Sequence, residues 1–93
     1  GREPARQLSN AEGWLKSHSQ NAELLLALGR ISLRNELWGK ARDYFEASLR
    51  MEHRAETCAE LARLLTQLGD VEGGNRFFQQ GLGLIDQRPP AVR

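Results

Sequence analysis

The chain has 93 residues, enough for one small domain with a modest core. Thirteen basic and twelve acidic side chains nearly cancel, so no global field draws it to nucleic acid or to an anionic membrane. Cys58 is the single cysteine, which excludes an internal disulfide and a cysteine-cluster metal site; the longest apolar run, "LLLALG", is far too short to cross a bilayer.

Apolar residues recur at helical spacing nearly throughout, and strand-like alternation is absent. A first helix is expected from about 4 to 18, with Leu8, Ala11, Trp14 and Leu15 on one side and Pro4 in its opening turn. A second, over 22–34, carries Leu24, Leu25, Leu28, Gly29 and Ile31. A third, over 38–51, shows Ala41, Tyr44, Phe45, Ser48 and Leu49. A fourth, over 55–68, has Cys58, Leu61, Ala62, Leu64 and Leu65, and a fifth, over 71–86, has Phe77, Phe78, Leu82 and Ile85. "QRPPAVR" then stops the pattern, because Pro89 and Pro90 lack an amide hydrogen and crowd the preceding turn.

The joints are short. "LGD" at 68–70 reads as a helix end, Gly69 taking the left-handed cap and Asp70 capping the next helix. "RNEL" at 34–37 does the same work with Asn35 as the expected left-handed residue. Connections of two to four residues turn neighbouring helices antiparallel, giving a series of helical hairpins.

The hairpins repeat with a period of 33 residues. Under that shift Leu28 falls on Leu61, Gly29 on Ala62, Ile31 on Leu64, Ala41 on Gly74, Phe45 on Phe78, Ser48 on Gly81 and Leu49 on Leu82. Small residues match small, aromatic matches aromatic, and stacked helix pairs are the architecture such a period describes. Leu25, Leu28, Gly29, Ala41, Phe45 and Ser48, with Cys58, Leu61, Ala62, Gly74, Phe78 and Gly81 after them, resemble the tetratricopeptide repeat. The resemblance implies an all-α solenoid of about five antiparallel helices in one repeat domain over 1–88: a leading helix at 4–18, repeats at 22–54 and 55–86, and a tail at 87–93. The proline usual after each second helix is replaced by "HRA" near His53. Trp38 stands where the repeat places a large side chain at the entry to its second helix, with Gly39 in the first turn, where glycine costs little. Val71 takes that place in the second repeat.

"LLLALGR", "LRNELWGKARDYFEASL" and "AELARLLTQLGD", in this order and spacing, are also similar to the C-terminal repeat region of the HemY family of bacterial inner-membrane proteins. "LRN-x-LWGKAR" includes exposed positions that packing does not dictate. This likeness implies two transmembrane helices upstream of a repeat-containing soluble region, outside this chain. It implies a place in late haem synthesis at the bacterial inner membrane, and it brings no catalytic motif; the membrane side is not given by the likeness, and the soluble part is expected on the cytoplasmic face.

In stacked hairpins the first helix of each pair lines a concave groove. That face is expected to carry Glu23, Leu26, Arg30, Leu33 and Arg34 from the first repeat, and Glu56, Ala59, Arg63, Thr66 and Gln67 from the second. Arg30 and Arg63 are equivalent positions, and a planar guanidinium suits a carboxylate of an acidic peptide, a chain terminus or a haem propionate. The plainer alternative is solvated charges paired with Glu23, Glu56 or Glu60. Leu26 and Leu33 on an open face would give a partner an apolar contact. His18 and His53 fall at turns without ligating company, and Cys58 reads as an inert core thiol. "GLG" at 81–83 lies within a helix and follows no strand, so it is not a nucleotide loop. The basic residues lack aromatic interleaving, which argues against RNA.

The fifth helix carries Phe77, Leu82, Leu84 and Ile85 around more than one side, which suggests self-association through that helix. The expected function is a non-enzymatic protein–protein interaction scaffold without a resident metal or cofactor, with a haem or porphyrin carrier as the rival reading. A protein or peptide ligand, including haem-pathway enzymes, is the expected partner.

Overall fold

The computed structural model describes residues 8–10, 12 and 21–86, all helical or in short connections, with no strand among them. Residues 8–10 and 12 are helical; the rest of the expected leading helix, and the tail, lie outside the described residues. Four helices follow: α1 (Ala22–Arg34), α2 (Trp38–Met51), α3 (Ala55–Gln67) and α4 (Val71–Asp86). The chain divides into two compact units between Glu52 and His53, and the paired helices are α1 with α2 and α3 with α4. No described helix is long and apolar enough to cross a membrane.

Local chemistry sets the helix bounds. Asn21 is extended and its Oδ1 accepts the Leu24 amide at 3.0 Å, while Glu23 in the first turn and Arg34 in the last complement the helix dipole of α1. Asp70 does the same for α4, its Oδ1 accepting the Gly73 amide at 2.9 Å. The two hairpin turns share one hydrogen-bond pattern. After α1, the amides of Glu36 and Leu37 donate to the carbonyls of Leu33 and Ser32, both at 2.9 Å. After α3, the amides of Gly69 and Asp70 donate to Thr66 and Leu65, at 3.0 and 2.8 Å. This double closure requires a left-handed residue two places after the helix. Gly69 supplies it at φ 97°, as the sequence predicts. In the first turn the expectation fails by one residue: Asn35 has φ −94° and Glu36 has φ 57°. Asn35 is the cap itself, and its side-chain amide donates to the Ile31 carbonyl at 2.9 Å, so the strained position passes to Glu36.

Within the first unit, α1 and α2 run antiparallel. The Ser48 hydroxyl, near the end of α2, donates to the Ala22 carbonyl at the start of α1 at 2.8 Å. Farther along, the Phe45 ring lies on the backbone of Gly29, so close that a Cβ built there would sit 2.3 Å from the ring. Leu25, Leu28, Ala41, Phe45 and Leu49 form the buried core around that contact, with the Ser32 hydroxyl turned back to the Leu28 carbonyl at 2.8 Å. Trp38 opens α2, half-buried, and Gly39 beside it has open space around its Cα. In the second unit, Gly74 approaches Ala62 and Thr66, and Gly81 approaches Ala55 and Cys58, which makes α3 and α4 antiparallel.

Candidate interaction surface

Of the first-repeat residues expected on an open groove, Glu23, Arg30 and Arg34 are exposed and Leu33 is half-buried. Leu26 departs from the expectation: it is only 4 % exposed and belongs to the core. The reason lies in the width of the buried arc. At about 100° per residue, Leu28, Ser32, Leu25, Gly29 and Leu26 sweep roughly 160° of α1, wider than a helix packed on one side needs. An apolar side chain on the expected groove face is therefore packing rather than bait. Glu23 lies with Asn21, Met51 and Glu52 around a shallow depression of about 540 Å³ at the end of the first hairpin.

The second unit is different. Glu56, Arg63, Thr66 and Gln67 are exposed and Ala59 is half-buried. Arg54 Nη2 reaches Glu56 at 2.6 Å, and Arg63 Nη2 donates to Glu60 one turn away at 3.0 Å. Arg63, Thr66 and Gln67 converge with Asn75 and Phe78 of α4 on a groove of about 350 Å³, its floor made by Ala62 and Gly74. A smaller apolar groove of about 90 Å³ continues along the same seam past Ala55, Ala59 and Leu82. Phe78 stands between the two.

Phe78 is the second correction. Its repeat position matches Phe45, which is fully buried, yet Phe78 is 55 % exposed. The local cause is the residue it faces. Phe45 lies on Gly29, whereas the equivalent position in the second unit is Ala62; there the close approach belongs instead to Gly74, whose Cβ would meet Thr66 Oγ1 and the Ala62 carbonyl. Leu82 and Ile85, expected at an end of the stack, are exposed at 42 % and 43 %, while Phe77 and Leu84 are half-buried. Asn75 was not signalled by residue type; its place in the spacing 71, 75, 78, 82, 85, alternately four and three residues, is what marks it.

Among the described residues no three side chains of metal-ligating type come together. His53 is exposed between α2 and α3, and His18 lies outside the described residues. Cys58 is fully buried beside Gly81, and burial pushes its thiol pKa up. Tyr44 is also raised well above its ordinary value, first by burial and then by the hydrogen bond its hydroxyl donates to the Glu12 carboxylate, which also meets Lys40 at 2.9 Å. Both groups are held neutral in the folded chain at pH values where the unfolded chain ionises them. The stability they contribute is complete below about pH 9 and is lost as the pH rises beyond that. The thermal midpoint is expected to fall steadily above about pH 9; a midpoint constant to pH 11 would contradict both assignments.

No family model and no curated protein matches the chain.

Proposed function

We propose that the chain is a helical-repeat module of tetratricopeptide type whose work is to hold another polypeptide. The observation that supports this most is the α3/α4 groove: an open trough with a small-residue floor, a protruding aromatic and a polar rim of Arg63, Thr66, Gln67 and Asn75. Such a surface combines an apolar anchor with directional polar groups and offers no nucleophile–base pair for chemistry. The similarity of the repeat segments to the HemY family extends the proposal to its setting. In that reading the module organises enzymes of late haem synthesis at the cytoplasmic face of a bacterial inner membrane, and segments outside this chain provide the anchor.

The test is capture of partners from a bacterial membrane extract by the immobilised chain. Arg30→Glu with Arg63→Glu is expected to abolish capture while leaving the helical circular dichroism intact, because both side chains are exposed; the thermal midpoint should fall by only a few degrees, since Arg63→Glu also sets a second carboxylate one turn from Glu60. Capture that survives the double reversal would remove these arginines from the reading. In a parallel haem titration the module reading expects weak, non-saturating absorbance changes; a stoichiometric, saturable shift would favour the carrier instead.

A further inference from the structure

The two units carry equivalent faces in opposite states. On α1 and α2 the positions Leu26, Gly29, Phe45 and Leu49 are all buried. Thirty-three residues on, Ala59, Phe78 and Leu82 are half-buried or exposed, and only Ala62 is covered. Among the described residues the second face is therefore a packing surface left open, and its chemistry says what fits. α3 contributes small residues at Ala55, Ala59, Ala62 and Thr66, spaced four, three and four. α4 contributes a ridge of Val71, Phe78, Leu82 and Ile85 on the same three-and-four rhythm, the seam spacing of helical bundles. Trough and ridge lie side by side on one face, which is the condition for an isologous contact, in which one surface complements itself.

We propose that this face is occupied by a second copy of the chain, forming a four-helix bundle from α3 and α4 of each copy. This rests on the reading of the α3/α4 groove as an interaction surface and names its occupant. The register follows from the glycine contacts. Gly74 sits level with Ala62 and Thr66, and Gly81 level with Ala55 and Cys58. A two-fold axis along the seam preserves those levels and lays α4 of one copy antiparallel over α3 of the other. Phe78 then enters between Ala59 and Ala62 of the second copy, and Leu82 between Ala55 and Ala59. On the rim, Arg63 comes within about one turn of Glu72 of the other copy; Glu72 is exposed and makes no ion pair among the described residues. An antiparallel α4–α4 pairing instead sets Glu72 against Asp86, like charges that oppose it.

Sedimentation equilibrium of the full chain from about 1 to 200 μM is expected to show a monomer–dimer equilibrium in the micromolar range. Leu82→Lys should weaken it at least about a hundredfold without loss of helical circular dichroism, since it places a charge in an apolar seam. Arg63→Glu or Glu72→Arg should each weaken it about three- to tenfold, and the double exchange should recover most of the loss. A monomer at 200 μM, or a dimer indifferent to Leu82→Lys and to the charge exchange, overturns the proposal. If that monomer still captures a partner, the interaction-module reading stands and only the self-pairing falls; if capture is absent too, both fall.

Discussion

Phe45→Ala is expected to destabilise the chain by about 3–5 kcal/mol, and Phe78→Ala by less than about 1 kcal/mol, although the repeat makes them the same position. Phe45 is fully buried, with its ring on the Gly29 backbone and in the core with Leu28 and Leu49. Removing it leaves a cavity walled by two helices that the Ser48–Ala22 hydrogen bond holds together, so the site collapses only in part. Against a total stability of about 5–10 kcal/mol for a chain of this size, such a loss leaves a substantial unfolded fraction. Phe78 is more than half exposed, and its truncation removes little that folding had buried. Urea unfolding of both variants in the Leu82→Lys background, where self-association is suppressed, gives the comparison directly. Similar costs at the two positions would mean that the second hairpin closes over Phe78 in solution.

That contrast marks how far the sequence could be read. The four described helices begin where expected, and only α3 stops one residue early, because the caps are local chemistry: Asn21, the Gly69–Asp70 pair and the proline-free connections act on their own neighbours. The repeat's small and aromatic positions were legible for the same reason. Three assignments were not. Glu36 takes the left-handed turn because Asn35 is drawn into capping, a competition between two adjacent residues that composition does not decide. Leu26 is buried and Phe78 is open because burial depends on what lies beside a helix, and a helical period records only that a position is apolar. The second-repeat candidates Arg63, Thr66 and Gln67 do meet on one groove, yet the residues that give it shape, Phe78 and Asn75, come from the helix outside the expected face.

The hairpins solve one packing problem in two ways. In the first, the helix that comes first yields its side chain: Gly29 accepts the Phe45 ring, and the small residue of α2, Ala41, is buried. In the second, the pattern is exchanged, with Ala62 on α3 and Gly74 on α4. The close approach moves from ring-on-backbone to backbone-on-backbone, and the aromatic is released to the surface. The exchange of one methyl group between equivalent positions thus accompanies the change from a core phenylalanine at 45 to an exposed one at 78.

Gly29→Ala is accordingly expected to cost about 1–3 kcal/mol, even though alanine is the better helix former by about 1 kcal/mol. Its Cβ would lie 2.3 and 2.5 Å from two carbons of the Phe45 ring, and that ring is fully enclosed, so relief requires moving α2. Gly74→Ala should cost a similar amount for a different reason. Thr66 Oγ1 at 2.2 Å can rotate away, since Thr66 is exposed, but the Ala62 carbonyl at 2.9 Å is backbone and cannot. Gly83→Ala is the control: nothing lies within 4 Å of its Cβ, so the helix-propensity gain should appear as stabilisation of up to about 1 kcal/mol. Coupling separates the first two. Phe45→Leu shortens the side chain over Gly29, so the cost of Gly29→Ala should shrink by at least about 1 kcal/mol in that background, while the cost of Gly74→Ala should not change. A Gly29→Ala cost that is the same with phenylalanine or leucine at 45 would show that helix α1 needs this glycine for some reason other than the ring.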